Sequence, residues 1–91
     1  MTEIARRAIV SGRVQRVGFR DFARRAAQSA GVRGWVRNLP DGTVETAVEG
    51  GVDAVARYFE KLRRGPLVGR VSNIDEAELP AQGFQGFEIR P

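Results

Sequence analysis

From Gly12 to Arg20 the chain reads Gly12-Arg13-Val14-Gln15-Arg16-Val17-Gly18-Phe19-Arg20, the stretch whose residue types best suit chemistry. It lies between a predicted strand and a predicted helix. The first N–H groups of a helix have no partner inside it and carry a partial positive charge. A loop that turns them toward one point makes a cradle for an anion. Gly18 allows the main chain a close approach there. Arg20, at the helix start, offers a planar fork of donors that fits two oxygens of a phosphate. The loop from Gln15 to Arg20 is therefore a candidate cradle for a phosphate-type anion. A strand, a loop and a helix with one glycine and two arginines are not specific by spacing alone, and a solvated arginine at a helix start looks the same in sequence.

Other chemistries are excluded by what the chain lacks. It has no cysteine, which removes disulfides, thiolate nucleophiles and cysteine metal sites. It has no histidine, so the commonest proton shuttle near neutral pH is missing and no serine or threonine has an imidazole to activate it. Ser11 and Thr43 read as ordinary strand residues. Asp75, Glu76 and Glu78 lie on one predicted strand and share no face well, so they read as surface charge and not as a metal site. Trp35 reads as a core or edge aromatic. The net charge of +4 suits either a solvated surface, a nucleic-acid partner or the attraction of small anions, and the spread of the basic residues along the chain argues against the second.

The elements that must position the loop follow from periodicity. Ala8 to Val14 alternates, with Ala8, Val10, Gly12 and Val14 on one face, and reads as a strand. Phe19, Phe22, Ala23, Ala26 and Ala27 recur at helical spacing, and Gly31 is a natural stop. Trp35 to Asn38 reads as a short strand, Leu39-Pro40-Asp41-Gly42 as a turn, and Thr43 to Glu49 as the second arm of a hairpin with Val44, Thr46 and Val48 inward. A second helix starts at Val52, with Val52, Val55, Ala56, Phe59 and Leu62 as its apolar stripe, and ends at Gly65-Pro66. Arg70 to Glu78 is a strand of poor pattern, because Val71 and Ile74 are three apart, and Phe84 to Ile89 closes the chain. The order β-α-β-β-α-β plus a short final strand is the ferredoxin-like arrangement of the α+β class. It predicts a two-layer sandwich of one mostly antiparallel sheet with both helices on one face. At 91 residues, positions 1–91 are expected to form one domain with a small core. No apolar run approaches the roughly 18 residues that cross a membrane. The start, Met1-Thr2-Glu3-Ile4-Ala5-Arg6-Arg7, lacks a signal-peptide layout, so a cytoplasmic protein without a membrane partner is expected.

With these residues in place, the chain resembles the acylphosphatase family over essentially its whole length. The resemblance rests on Gly12-Arg13-Val14-Gln15, then Val17-Gly18-Phe19-Arg20, then Gly34-Trp35-Val36-Arg37-Asn38 leading to Asp41-Gly42-Thr43-Val44, and finally Gly86-Phe87-Glu88-Ile89. It implies the ferredoxin-like fold and hydrolysis of carboxyl–phosphate mixed anhydrides with no metal or other cofactor. It implies that Arg20 binds the phosphate, that Asn38 positions the attacking water, and that the amides of Gln15, Arg16, Val17, Gly18, Phe19 and Arg20 form the cradle. The chemistry is feasible without histidine, because the carboxylate leaving group needs little help from an acid and the phosphoryl charge can be stabilised by fixed donors. One position departs from the family: Arg16 stands where glycine is usual. If its φ is positive, the arginine is strained by about 1–2 kcal/mol; otherwise the loop shifts. A shifted loop would misalign the amides and lower the rate; alternatively, the added charge near the anion tightens binding of phosphate groups.

Two other readings are carried forward. An RNA-binding module of the same topology would place base-stacking aromatics on its central strands, and neither Ala8–Val14 nor Thr43–Glu49 contains one. An anion-binding or interaction domain without catalysis is favoured by Arg16 alone. The expected partners are therefore a small acyl phosphate and inorganic phosphate as product, with no nucleic acid, in a monomer.

Overall fold

The computed structural model describes residues 2–91, so Met1 of the N-terminal segment lies outside them. The elements are β1 (Glu3–Arg13), α1 (Phe19–Ala30), β2 (Arg33–Asn38), β3 (Val44–Gly51), α2 (Val52–Arg64), β4 (Arg70–Leu79) and β5 (Phe87–Arg90). Their order is the expected one. The sheet runs β4-β1-β3-β2-β5, antiparallel at every pairing except the parallel pair β2–β5. This is the ferredoxin-like α+β fold. Among the described residues no helix is long and apolar enough to cross a membrane.

The core explains why the layers close. Ala8, Val10, Val36, Val44 and Val48 alternate along their strands and meet Ala23, Ala27, Val55, Phe59 and Leu62 from the helices in one cluster. The small face of α1 (Ala23, Ala26, Ala27 and Ala30) is buried, which lets that helix lie close to the sheet. Gly31 ends it in a left-handed turn at φ 84, returning its N–H to the Ala27 carbonyl at 2.8 Å.

Several expectations about packing are corrected. The first strand begins at Glu3, not Ala8, and the last is Phe87–Arg90, leaving Phe84 in the preceding loop. In α2, Val52 and Ala56 are exposed while Tyr58 is fully buried, so the inward stripe is Val55, Tyr58, Phe59 and Leu62. The helix can turn Tyr58 inward because the phenol bonds to the Thr46 hydroxyl at 2.7 Å, which in turn donates to the Trp35 carbonyl at 2.8 Å. Burial pushes the Tyr58 phenol well above its ordinary pKa.

Thr43 is a turn residue and not part of β3: its N–H and hydroxyl both donate to the Asp41 carboxylate, at 3.0 and 2.6 Å. Trp35 is half-buried on the face away from the helices, with the guanidinium groups of Arg90 and Arg37 at 4.6 and 5.4 Å from its ring.

The irregular spacing in β4 has a local cause. Ser11 pairs with Asn73 and Gly12 with Val71, so Ser72 is an extra residue in the strand. That bulge lets Val71 and Ile74 both pack against the core although they are three apart. It also explains Gly12, where a Cβ would stand 2.2 Å from the Arg70 carbonyl oxygen. Asp75, Glu76 and Glu78 are exposed, with Glu76 paired to Arg63 at 3.0 Å.

Candidate active site

The loop between β1 and α1 is held by two buried anchors. Val14 and Phe19 are only 1% and 2% exposed. Between them Arg16 and Gly18 adopt positive φ angles of 64 and 74, and Val17 does not. Such alternation folds successive N–H groups toward one side, the pattern of anion-binding main-chain nests. Among the described residues no turn or loop hydrogen bond engages the N–H of any residue from Gln15 to Arg20. The left-handed φ at Arg16 is the strained alternative foreseen for an arginine in a glycine position.

A cavity of about 260 Å³ lies over this loop. Arg16, Gly18, Phe19 and Arg20 line it from the loop and the first turn of α1, Asn38 from the end of β2, and Ile89 from β5. The size suits a small ligand rather than a drug-sized one. The parallel pairing of β2 with β5 sets Val36 opposite Ile89 and so brings the C-terminal strand to the site.

Arg20 is half-buried, and Nη1 donates to the Arg90 carbonyl oxygen at 3.5 Å, the long limit of a hydrogen bond. Among the described residues no carboxylate forms an ion pair with it. Asp21 also lines the cavity, but its carboxylate is engaged by Arg24 at 3.1 Å. Asn38 Oδ1 is the one buried side-chain nitrogen or oxygen atom among the described residues that lacks a hydrogen-bond partner. A buried carbonyl without a protein partner is one that an ordered water or a ligand commonly satisfies.

Of the residues expected at the site, Arg16, Gly18, Phe19, Arg20 and Asn38 share the cavity, whereas Gln15 and Val17 are not among its lining residues. The Gln15 side chain points to the β2–β3 turn, where Nε2 donates to the carbonyls of Leu39 and Thr43, both at 2.8 Å. Val17 packs against the core. Ile89, Asp21 and the Arg90 carbonyl were not expected. Asp21 is the sequence neighbour of Arg20, but no short-range pattern reveals Ile89 and Arg90, which arrive through a pairing between distant strands.

Two buried carboxylates on the face away from the helices brace these strands. Glu45 lies between Arg7 and Arg37, at 2.5 and 2.6 Å, and Arg37 directly precedes Asn38 in β2. Burial pushes its carboxyl up, but the two guanidinium partners outweigh that and hold it below the usual carboxylate range. Glu49 accepts the N–H groups of Gln82, Gly83 and Phe84 at 2.8, 2.9 and 3.0 Å, pinning the loop that leads into β5. The bond from Gln82 and those from its two neighbours hold the Glu49 carboxyl low, against the opposing effect of burial. Among the described residues no three His, Cys, Asp or Glu side chains group so as to hold a metal ion.

Comparison with known proteins bears on this arrangement. The family model described as acylphosphatase matches residues 6–89. An acylphosphatase of Pseudomonas paraeruginosa is 46% identical over 90 residues, covering 99% of each chain. One from Methanocella arvoryzae is 44% identical over 82 residues, covering 90% of this chain and 93% of its own. The crystal structure of acylphosphatase from Bacillus subtilis superimposes with a TM-score of 0.94 at 36% identity, covering 97% of this chain and 99% of that one. The chain therefore belongs to the acylphosphatase family.

Proposed function

We propose that the chain hydrolyses the carboxyl–phosphate bond of small acyl phosphates, with Arg20 and the N–H groups of the Gln15–Arg20 loop holding the phosphoryl group and Asn38 holding the water. The observation that carries this division of labour is that Arg20 and Asn38 line one cavity from two different elements, Asn38 with a carboxamide oxygen that no other protein group engages. A dianionic phosphoryl group suits the nest and the guanidinium, and the three equatorial oxygens that carry charge in the transition state suit the same donors. The Asn38 carboxamide holds the water with its oxygen aimed at phosphorus, a contribution of orientation.

The bond from the water oxygen to phosphorus forms as the bond from phosphorus to the acyl oxygen breaks. The carboxylate leaves with the electron pair. Asparagine is not a base, so the water proton passes to a phosphoryl oxygen. Asp21 is tied to Arg24 and is not needed for this step. Every residue of the proposed machinery comes from one copy of the chain.

The test is phosphate release from benzoyl phosphate with and without a chelator. Release that the chelator leaves unchanged supports the reading; release abolished by chelation, or none at all, overturns it. The alternative of an anion-binding domain without catalysis is favoured only by the strained Arg16, and saturable binding of inorganic phosphate without turnover of benzoyl phosphate would establish it instead.

A further inference from the structure

We propose that Gln15 is a positioning residue for hydrolysis: its carboxamide ties the anion loop to the β2–β3 turn and so sets where Asn38 stands relative to the bound phosphoryl group. This rests on the functional reading just given.

The geometry leaves little else for the side chain to do. Both of its partners, the carbonyls of Leu39 and Thr43, are acceptors only, so the amide nitrogen must face them and both of its N–H bonds are used. Those carbonyls do not depend on Gln15. Leu39 O also accepts the Gly42 N–H at 3.2 Å, and Thr43 O accepts the Leu39 N–H at 2.9 Å. The turn is closed by its own main chain, and the carboxamide occupies a second lone pair on each oxygen. What Gln15 adds is a link between two segments that no strand pairing joins, the loop after β1 and the turn after β2. Leu39 is the neighbour of Asn38, so this link acts next to the group that holds water. The phosphate donors, by contrast, all belong to the Gln15 side of the link.

This arrangement predicts a split between binding and turnover. In Gln15→Met, which keeps the length of the side chain and loses both donors, kcat for benzoyl phosphate falls about tenfold or more, since small misplacement of a reacting group costs up to about a hundredfold. Inhibition by inorganic phosphate stays within about twofold of wild type, because the loop N–H groups and Arg20 are untouched. If Gln15 acts through Asn38, its loss costs less than about twofold once Asn38 is already alanine, as a double-mutant cycle of Gln15→Met and Asn38→Ala measures.

The inference is overturned if Gln15→Met keeps kcat within twofold of wild type. It is overturned equally if phosphate inhibition weakens in step with kcat, or if the double variant loses the product of the two single losses, since each marks a general brace of the fold. A wild type that releases no phosphate from benzoyl phosphate removes this inference together with the reading beneath it, whereas the other outcomes remove this one alone.

Discussion

Replacing Arg16 with glycine tests how the anion loop is built. At φ 64 the arginine holds a left-handed backbone, which costs an L-residue about 1–2 kcal/mol. Glycine relieves that strain but returns ~0.4–1 kcal/mol through the greater freedom of the unfolded chain. The balance is a gain of roughly 0.5–1 kcal/mol, and at about 4–8 °C per kcal/mol for a domain of this size the melting temperature rises by roughly 2–8 °C. The charge works the other way. In a water-like dielectric a guanidinium attracts a doubly charged phosphoryl group by about 1 kcal/mol at a separation of ~7 Å, so removing the Arg16 charge from the cavity wall raises KM by up to about fivefold. The rise shrinks at 0.5 M salt, where the screening length falls to about 4 Å. Turnover itself is kept or raised, because glycine leaves the N–H groups free to settle on the anion. Thermal unfolding and steady-state hydrolysis of benzoyl phosphate at two salt concentrations read all three effects. A tenfold loss of kcat would refute the reasoning by showing that the Arg16 side chain takes part in the reaction, and a lower melting temperature would show that the backbone is not strained there.

Arg20→Gln is expected to remove phosphate inhibition and to lower kcat/KM by about a hundredfold or more, the scale of losing one strong donor to a developing anion; inhibition that survives would contradict the role of the guanidinium. Asn38→Ala should lower kcat by about tenfold to a hundredfold with phosphate inhibition nearly unchanged, as expected for a group that orients water rather than binding the anion; equal weakening of both would disprove it. Glu49 is held low in the fold, so its contribution to stability is full above its unfolded value of 4.5 and is lost as pH falls through the lower folded value. The melting temperature of Glu49→Gln should accordingly fall below that of wild type at pH 7 and converge with it toward pH 3, and a gap that persists in acid would show that the carboxylate's charge is not what pins the loop.

The parts of the fold that were legible in sequence are those fixed by neighbours close along the chain. The alternation of Val44, Thr46 and Val48, the helical recurrence from Phe19 to Ala27 and the turn at Pro40-Asp41-Gly42 each contain their own period, and they place Arg20 and Asn38 at the ends of elements. What could not be read depends on partners far away. Ala56 fits an apolar stripe as well as Tyr58 does until the hydroxyl of Thr46, on strand β3, gives the phenol somewhere to go. The spacing of Val71 and Ile74 looks broken until the pairing with Ser11 and Gly12 shows Ser72 to be an added residue. Gln15 was read as one more main-chain donor, and only the folded turn reveals what its side chain holds. Glu49 resembles any strand glutamate, yet the three N–H groups that donate to it lie more than thirty positions on.

β4 forms one margin of the sheet, so a ten-residue strand has its hydrogen-bonding groups open on one side. Exposed margins of that length invite other chains to add on. The kink at Ser72 spoils the straight template, and Asp75, Glu76 and Glu78 give the rest an acidic fringe although the chain as a whole carries a charge of +4. Glu76 is paired with Arg63 and Glu78 with Arg6, which among the described residues leaves Asp75 as the uncompensated acid on this margin. Bulge and charge together make this margin a poor template for the strand of a second copy.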